Sequence, residues 1–315
     1  MTTWVFDRSA AQARFELVDR DRLDLLHRMS TNDVNALQPG EGLSTVLTTA
    51  LARIIDRLIV YSRGDTALMI ANRKDTVRTW LQKHIFLQDK IKIREIPSFH
   101  FEIQGEQADR IAEEIAPGAS QLPLHHFKET RGGLIARAYP IAAGSGYALI
   151  SFLQSPPAQE STAVEFGNIV LPLDGLTRGD DARYEQLRIA AGLPGPGHEL
   201  TEDYIPLEAG LWDSVSFSKG CYIGQEIIAR MESRNKLAKT LVALRLDQPV
   251  EGGATVSAGA ENRTIGTLTS IAALDDGMYA ALAFVKPDFA DPGTTLTANG
   301  VSALVVDAPL IRSRP

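Results

Sequence analysis

The residues best suited to chemistry form one short run, KGCYIGQE at positions 219–226, which contains the single cysteine of the 315-residue chain. A helix predicted over 224–233 would begin just after Cys221, and amides at a helix N-terminus present partial positive charge. Together with the ammonium group of Lys219, this charge would favour the thiolate and lower the pKa of the thiol. The run therefore predicts a reactive cysteine. The alternative is a buried thiol that only packs, as free cysteines commonly do.

The same run carries a family resemblance. Residues 205–230, IPLEAGLWDSVSFSKGCYIGQEIIAR, resemble the signature of the YgfZ family of folate-binding proteins, and every fixed position of its K-G-C-Y-x-G-Q-E core is matched. That family includes the mitochondrial iron–sulfur assembly factors and is related to the aminomethyltransferase, or T-protein, of the glycine cleavage system. Residues 30–40 and 187–194 resemble two further family segments. The resemblance implies that the chain binds tetrahydrofolate or a folate derivative.

Four side chains near Cys221 are candidates for holding this ligand. Tyr222 offers a flat face on which a pterin ring could stack, and Gln225 offers an amide donor and acceptor. Glu226 and Arg230 lie four positions apart on the predicted helix, so they would face each other. As an exposed pair they would contribute only about 0.3–0.5 kcal/mol, so their predicted role is to orient nearby groups. The alternative is a capped helix start with a tyrosine in the core.

Asp56 is the candidate general base. The T-proteins carry an acidic pair before a strand with the letters LIVY, and one acid of that pair is catalytic. Here Asp56 occupies the first position and Arg57 the second. An isolated aspartate among apolar strand residues is predicted to have a raised pKa and to act as a base. The alternative places it on the solvent face of a half-buried strand.

Two further departures from the T-protein pattern concern missing acids. Gly144 stands where a glutamate would contact the pterin, and Ala190 stands where the helix end L-R-x-E-A-G carries its acid. Both losses argue against authentic aminomethyl transfer. The resemblance also makes Arg188 a candidate folate contact, and it makes Asn32 and Asp33 part of a channel wall. From residue type alone, these last two are ordinary turn residues.

Composition limits the possible classes of protein. The net charge of −7 opposes extensive contact with nucleic acid or anionic lipid. No apolar run reaches the roughly 18 residues that a membrane-spanning helix needs, and no signal peptide is visible. A single cysteine excludes an internal disulfide and suits a reducing cytoplasm, which is the predicted location. One thiolate cannot hold an iron–sulfur cluster, which normally takes four. The six histidines lack metal-ligand spacing, so we expect no bound metal.

Hydrophobic periodicity and turn residues indicate the elements that must position these groups. Ser155, Pro156, Pro157 and Ala158 are typical of a surface connection. Predicted helices lie at 19–29, 75–85, 107–115 and 180–191, and predicted strands at 44–47, 54–62, 67–71, 91–96 and 99–104. Beyond residue 240, β-like segments at 241–246, 264–273, 279–284 and 303–307 predict a separate barrel or sandwich.

The pattern is that of an α+β protein. The resemblance implies three domains around a central channel, in the architecture of the aminomethyltransferases. We expect a first α+β domain from residues 1–48 and 145–239, a second from 49–144, and a C-terminal β-barrel over 240–315.

Three functions remain open from the sequence. The first is a tetrahydrofolate-binding accessory protein that supports iron–sulfur cluster assembly or repair, including the iron–sulfur enzymes that thiolate tRNA. Its partners would be folate and those client enzymes or assembly proteins. Cys221 would be its redox group or its transient contact with sulfur or iron, and Lys219 would lower the pKa of the thiol. The second is a folate-dependent aminomethyltransferase with Asp56 as its base, which is the enzyme class we expect if turnover occurs. The third is an interaction scaffold whose folate pocket has decayed.

Overall fold

The structure, a computed structural model, describes residues 2–152, 163–166, 169–172, 175–234, 236–259 and 262–310. The predicted surface connection at 155–158 lies outside these residues. The chain forms two compact units. The first contains Met1–Leu47, Asp56–Asp181 and Ser218–Tyr222, and the second contains Thr48–Ile55, Ala182–Phe217 and Ile223–Pro315. The expected division into three domains stays a prediction.

The described residues form strands and helices in the following order. The strands are β1 (Thr3–Asp7), β2 (Ala13–Val18), β3 (Gly42–Thr48), β4 (Ile54–Ser62), β5 (Thr66–Ala71), β6 (Lys92–Glu95), β7 (Phe99–Gly105), β8 (Phe127–Thr130), β9 (Gly133–Ala138), β10 (Ser145–Ser151), β11 (Ala163–Phe166), β12 (Ile169–Pro172), β13 (Leu176–Gly179), β14 (Thr240–Leu246), β15 (Thr255–Ala258), β16 (Arg263–Ala273), β17 (Tyr279–Val285), β18 (Thr295–Ala298) and β19 (Val301–Val306). The helices are α1 (Arg22–Met29), α2 (Lys74–Lys83), α3 (Ala108–Ile115), α4 (Asp181–Ala191) and α5 (Gln225–Arg234).

The first unit is built on two mainly antiparallel sheets. One has the order β3-β4-β5-β2-β6, and the other has the order β13-β1-β7-β10-β9-β8. Apolar side chains of the two sheets meet in one core. Tyr61, Leu68 and Ile70 come from the five-stranded sheet, and Phe127 and Ile150 come from the six-stranded sheet. The amphipathic α3 packs its buried residues against a separate core of the six-stranded sheet. The α+β class is therefore confirmed.

The β4–β5 hairpin shows why local patterns worked well in this unit. The predicted bounds of β4, residues 54–62, are those of the structure, and Ser62 pairs with Ala67 across the turn.

The predicted start of α1 at residue 19 is wrong. Asp19 adopts a φ of 85°, in the left-handed region, so the helix begins only at Arg22.

The second unit contains the predicted C-terminal barrel, which is closed in the order β14-β17-β16-β15-β18-β19. Its interior is filled by alternating apolar side chains such as Val242, Leu244, Leu268, Ala283 and Val305. The short strands β15 and β18 were not anticipated, because four residues are too few for a clear alternation. Among the described residues, no helix has the length and apolar character needed to span a membrane.

Candidate functional site

Lys219 fastens the cysteine loop to the end of α1 within the first unit. Its side chain is only 7% exposed. The ammonium nitrogen Nζ donates to the backbone oxygens of His27, Ser30 and Asn32 at 2.5, 2.8 and 2.8 Å. The last carbonyl groups of a helix lack intrahelical partners and carry partial negative charge, which a cation satisfies. The lysine therefore closes the C-terminal end of α1 and fixes the loop that carries Cys221.

This position changes the role expected for the lysine. Burial lowers the pKa of Lys219 to about 8, and the nearby Asp33 carboxylate acts in the opposite direction. The ammonium group is therefore still mainly protonated at neutral pH. The sequence had suggested that its charge acts on the thiol. The structure instead directs Nζ at three carbonyl oxygens, so we assign Lys219 a positioning role.

Cys221 itself is exposed. The alternative of a buried thiol that only packs is therefore wrong. A Cβ atom added at the preceding Gly220 would meet nothing within 4 Å, so the backbone next to the cysteine is also open. The thiol is accessible to a partner protein or a small molecule, while the loop beneath it is held by Lys219.

Tyr222, the predicted stacking surface, is largely buried. The Nζ atom of Lys219 lies 5.0 Å from the centre of its ring, which is a cation–π contact. Burial raises the pKa of the Tyr222 hydroxyl to about 12, so the phenol stays protonated at physiological pH. Most of this side chain packs, as the alternative foresaw, and stacking on a pterin stays a prediction.

Asn32 and Asp33 form a fixed turn after α1. The Asn32 amide donates to the backbone oxygen of Ser44 at 2.8 Å, and its side-chain oxygen accepts from the backbone amide of Asp33 at 2.9 Å. The Asp33 carboxylate lies 3.2 Å from Nδ1 of His27, and its side chain is 40% exposed. The turn reading is thus correct, and it leaves Asp33 accessible to a ligand.

His27 was missed by sequence reasoning because no metal-ligand spacing draws attention to it. Burial lowers the pKa of its ring, Lys219 acts in the same direction, and Asp33 opposes both. The first unit therefore gathers His27, Asp33, Lys219 and Tyr222, and the exposed Cys221 lies between the last two in the chain. Asp33 is the partly exposed carboxylate of this group.

Asp56 lies elsewhere in the first unit and is fully buried. Its carboxylate accepts from the backbone amides of Asn72 and Arg73 at 2.8 and 2.9 Å, and from the side-chain amide of Asn72 at 2.9 Å. Burial raises the pKa of Asp56, as predicted, and these hydrogen bonds act against that increase. The solvent-face alternative is wrong. The carboxylate holds the turn between β5 and α2, which is a structural task.

The second unit contains three of the remaining candidates on α5. Glu226 and Arg230 form the predicted ion pair at 2.6 Å, with exposed side chains. Such a pair is screened by water and contributes little to stability. Gln225 is the first residue of the helix and is partly exposed. A ligand role for these three residues stays a prediction.

Arg188 has a structural place in the second unit. Its guanidinium group, 2% exposed, pairs with Glu199 at 3.2 Å and with Glu185 at 2.8 Å. It also donates to the backbone oxygen of Leu193 at 2.8 Å and to the Ser270 hydroxyl at 3.3 Å. Each of its three nitrogens therefore has a protein partner. This network joins α4 to the barrel strand β16, which is a structural role, and a folate contact by Arg188 stays a prediction.

Glu208 is a buried acid, as Asp56 is, but sequence reasoning did not single it out. It lies in the apolar run IPLEAGL, and burial raises its pKa. The backbone amide of Ile205 donates to it at 3.2 Å. An acid isolated among apolar residues was the signal that identified Asp56, and the same signal applies here. Within the part of the chain that is described, no group of three or more His, Cys, Asp or Glu side chains is placed to hold a metal ion.

Comparison with known proteins identifies relatives over nearly the whole chain. The protein named "Putative transferase At1g60990, chloroplastic" of Arabidopsis thaliana is 31% identical over 316 residues, which are 96% of this chain and 70% of that protein. The aminomethyltransferase of Halalkalibacterium halodurans is 28% identical over 247 residues, covering 73% of this chain and 64% of that protein. No family model matches the sequence.

Among solved structures, the glycine cleavage system aminomethyltransferase T from Bartonella henselae shares the fold. The TM-score is 0.77, and the match covers 99% of this chain and 87% of that structure at 18% identity. The two folds therefore agree along the whole chain, at a sequence identity that carries no functional detail.

Proposed function

Because the chain belongs to the aminomethyltransferase-like family of the glycine cleavage T-protein, we propose that it is a tetrahydrofolate-binding accessory protein. Its task would be to support assembly or repair of iron–sulfur clusters, including those of enzymes that thiolate tRNA. The matched K-G-C-Y-x-G-Q-E core supports the YgfZ branch of the family. The observation that carries the proposal is the exposed Cys221 on a loop that buried Lys219 fastens in place.

The groups of the first unit suit one edge of a reduced folate. The pterin ring carries a guanidine-like edge of N–H donors, and a carboxylate is the natural acceptor for such an edge. Asp33 is a partly exposed carboxylate, held by the turn at Asn32. Asp33 would orient the bound ring through its N–H groups. A reduced folate supplies one-carbon units when it is bound.

The thiol sets a limit on how the protein acts on clusters. Cluster ligation normally takes four thiolates, and the chain has one cysteine. Cys221 would therefore make a transient contact with iron or sulfur, or share ligation with a partner protein. The net charge of −7 disfavours an extended surface for tRNA, so the client enzyme would bind the tRNA.

A free exposed thiol suits a reducing compartment, and the cytoplasm remains our predicted location. The Arabidopsis relative is named as chloroplastic, a compartment stated for that protein.

The proposal is tested in cells from which the protein has been removed. Activity of iron–sulfur enzymes and the level of thiolated tRNA should fall, and the wild-type chain should restore both. Unchanged cluster-dependent activities in the depleted cells would contradict the accessory role.

Aminomethyl transfer is the second candidate, and the raised pKa of buried Asp56 is the observation in its favour. The hydrogen bonds that already engage its carboxylate make proton abstraction from a substrate unfavourable. We expect no turnover of an aminomethyl–lipoyl carrier with tetrahydrofolate.

We also expect Asp56→Asn to reduce the free energy of unfolding by about 1–3 kcal/mol, because an amide cannot accept all of the hydrogen bonds that the Asp56 carboxylate accepts.

Denaturant unfolding of Asp56→Asn and a carrier assay of the wild type measure these two outcomes. Robust wild-type turnover that Asp56→Asn abolishes, with unchanged stability, would establish the enzyme instead.

A further inference from the structure

Arg57, Tyr139 and His125 form a cluster in the first unit that the proposed function does not use. Arg57 lies on the same face of β4 as Ile59 and Tyr61, which pack toward the six-stranded sheet. Its guanidinium carbon Cζ is 5.3 Å from the centre of the Tyr139 ring. The His125 ring meets the same tyrosine edge to face, with ring centres 5.0 Å apart. A cation, an aromatic wall and an imidazole are thus brought together where the two sheets meet.

Among the described residues of this unit, three other arginines also lie over aromatic rings, and each of these arginines is paired with a carboxylate. These trios are Arg28 over Phe86 with Asp89 at 2.8 Å, Arg63 over Phe152 with Glu129 at 2.6 Å, and Arg137 over Tyr147 with Asp109 at 2.6 Å. Within the described residues, no carboxylate is paired with Arg57. Its distance of 5.3 Å from the ring centre is close to the 4.7–5.1 Å of the other three arginines, but its contact lacks the anion.

Three nitrogen atoms of Arg57 and His125 lack hydrogen-bond partners within the described part of the chain. Nitrogens Nε and Nη1 of Arg57 and Nε2 of His125 are buried, and none has a hydrogen-bond partner among the described residues. His125 is 6% exposed. Leaving a buried polar group unpaired costs about 1–3 kcal/mol, so native proteins rarely keep several such groups together. Unpaired, buried donor atoms on the Arg57 guanidinium call for a group that accepts hydrogen bonds.

The backbone around His125 is held by hydrogen bonds, whereas Nε2 of its ring has no partner among the described residues. Its backbone amide donates to the oxygen of Arg137 at 2.9 Å, and the amide of Phe127 donates to the oxygen of Gly40 at 3.0 Å. Burial and the charge of Arg57 lower the pKa of His125 to about 3, so the ring is neutral and can donate one N–H. Arg57 is then the only positive charge of the trio.

We propose that Arg57, His125 and Tyr139 bind the carboxylate of a small molecule. The carboxylate oxygens accept from the Arg57 guanidinium and from the His125 ring, and Tyr139 provides the flat wall beside them. This site is independent of the folate proposal, because it uses none of the residues assigned to folate.

Acetate, the simplest stable carboxylate with a methyl group, is the probe. The full-length protein, labelled with ¹⁵N-histidine, is titrated with sodium acetate at constant ionic strength, and the His125 signal is assigned from its loss in His125→Gln. We expect a saturable shift of that signal. Arg57→Gln should lower the affinity about 10-fold or more, which is the effect of removing one charge-assisted hydrogen bond.

Arg63→Gln is the matched control, because Arg63 also covers an aromatic ring but already has its carboxylate partner. It should bind acetate with wild-type affinity. Arg57→Lys keeps the charge and should bind more weakly than the wild type but more tightly than Arg57→Gln. The proposal is wrong if acetate causes no saturable shift of His125, or if the Arg57 variants bind as the wild type does.

Discussion

Cys221→Ser is expected to abolish support of iron–sulfur enzymes in cells while leaving the fold intact. A serine hydroxyl does not ionise near neutral pH, and it is a poor ligand for iron and a poor carrier of sulfur. A thiolate binds iron and carries sulfur. Cys221 is exposed, so the substitution should change the free energy of unfolding by no more than about 0.5 kcal/mol. The measurement is the activity of a cluster-dependent enzyme in depleted cells that express the variant at wild-type level.

Ala229→Ser provides the control, since it introduces the same residue at another exposed position of the same polypeptide. It should restore cluster-dependent activity fully. Equal restoration by Cys221→Ser would remove the thiol from the mechanism and leave the protein a folate-binding or scaffolding role.

Lys219→Met should produce the largest loss of stability. The methionine has a similar length but no donor, so three backbone carbonyl groups at the end of α1 lose the ammonium that they share. Given the cost of unpaired buried acceptors, we expect the free energy of unfolding to fall by about 3–5 kcal/mol. The cysteine loop should also lose protection from hydrogen exchange, because Lys219 is its anchor.

The pH dependence of this stability difference has a definite sign. Burial lowers the pKa of Lys219 from 10.5 to about 8, so above pH 8 the folded state loses its proton before the unfolded state does. Between these two values the unfolded state binds more protons, and the contribution of this lysine to stability therefore increases with pH. The wild type should gain about 1–3 kcal/mol relative to Lys219→Met across this window.

Urea unfolding of both proteins from pH 7 to pH 10.5 measures this difference. A gap between the two proteins that stays constant with pH would show that the lysine titrates normally. A variant as stable as the wild type would show that the three carbonyl groups find other partners.

Local patterns in the sequence were sufficient for several parts of the fold. The strand β4 and its hairpin with β5 follow from apolar residues around the turn at Gly64. The barrel follows from short apolar segments separated by turn residues, and the Glu226–Arg230 pair follows from helical spacing. In each case, all the interacting residues lie close together in the chain or repeat one simple period.

The remaining parts depend on contacts between distant positions. Lys219 reaches carbonyl groups that lie 187 to 192 positions earlier, and no periodicity encodes such a choice of partner. The parallel pairing of β1 with β13 is equally remote, with Thr3 opposite Leu176. For this reason, the candidate residues were found from their types and the family resemblance, whereas their positioning or structural roles appeared only in three dimensions.

Arg188 and Asp56 show that a residue predicted to have a chemical role can instead have a structural one. Both lie in segments that resemble folate-dependent enzymes, and both have the residue types that bind ligands or protons. In the structure their polar atoms already have partners within the protein. Arg188 pairs with Glu199, and Asp56 accepts hydrogen bonds from the backbone amides before α2. A charged residue in a family motif therefore has to be checked for free hydrogen-bonding capacity before it is given a chemical role.

Calorimetric titration of the purified wild type with tetrahydrofolate under reducing conditions tests the central claim most directly. The account predicts saturable binding at one site per chain. It also predicts about 10-fold weaker binding by Asp33→Asn, which loses the charged acceptor, and unchanged binding by Asp24→Asn, whose carboxylate is paired with Arg28. Absence of saturable binding by the wild type would contradict the account.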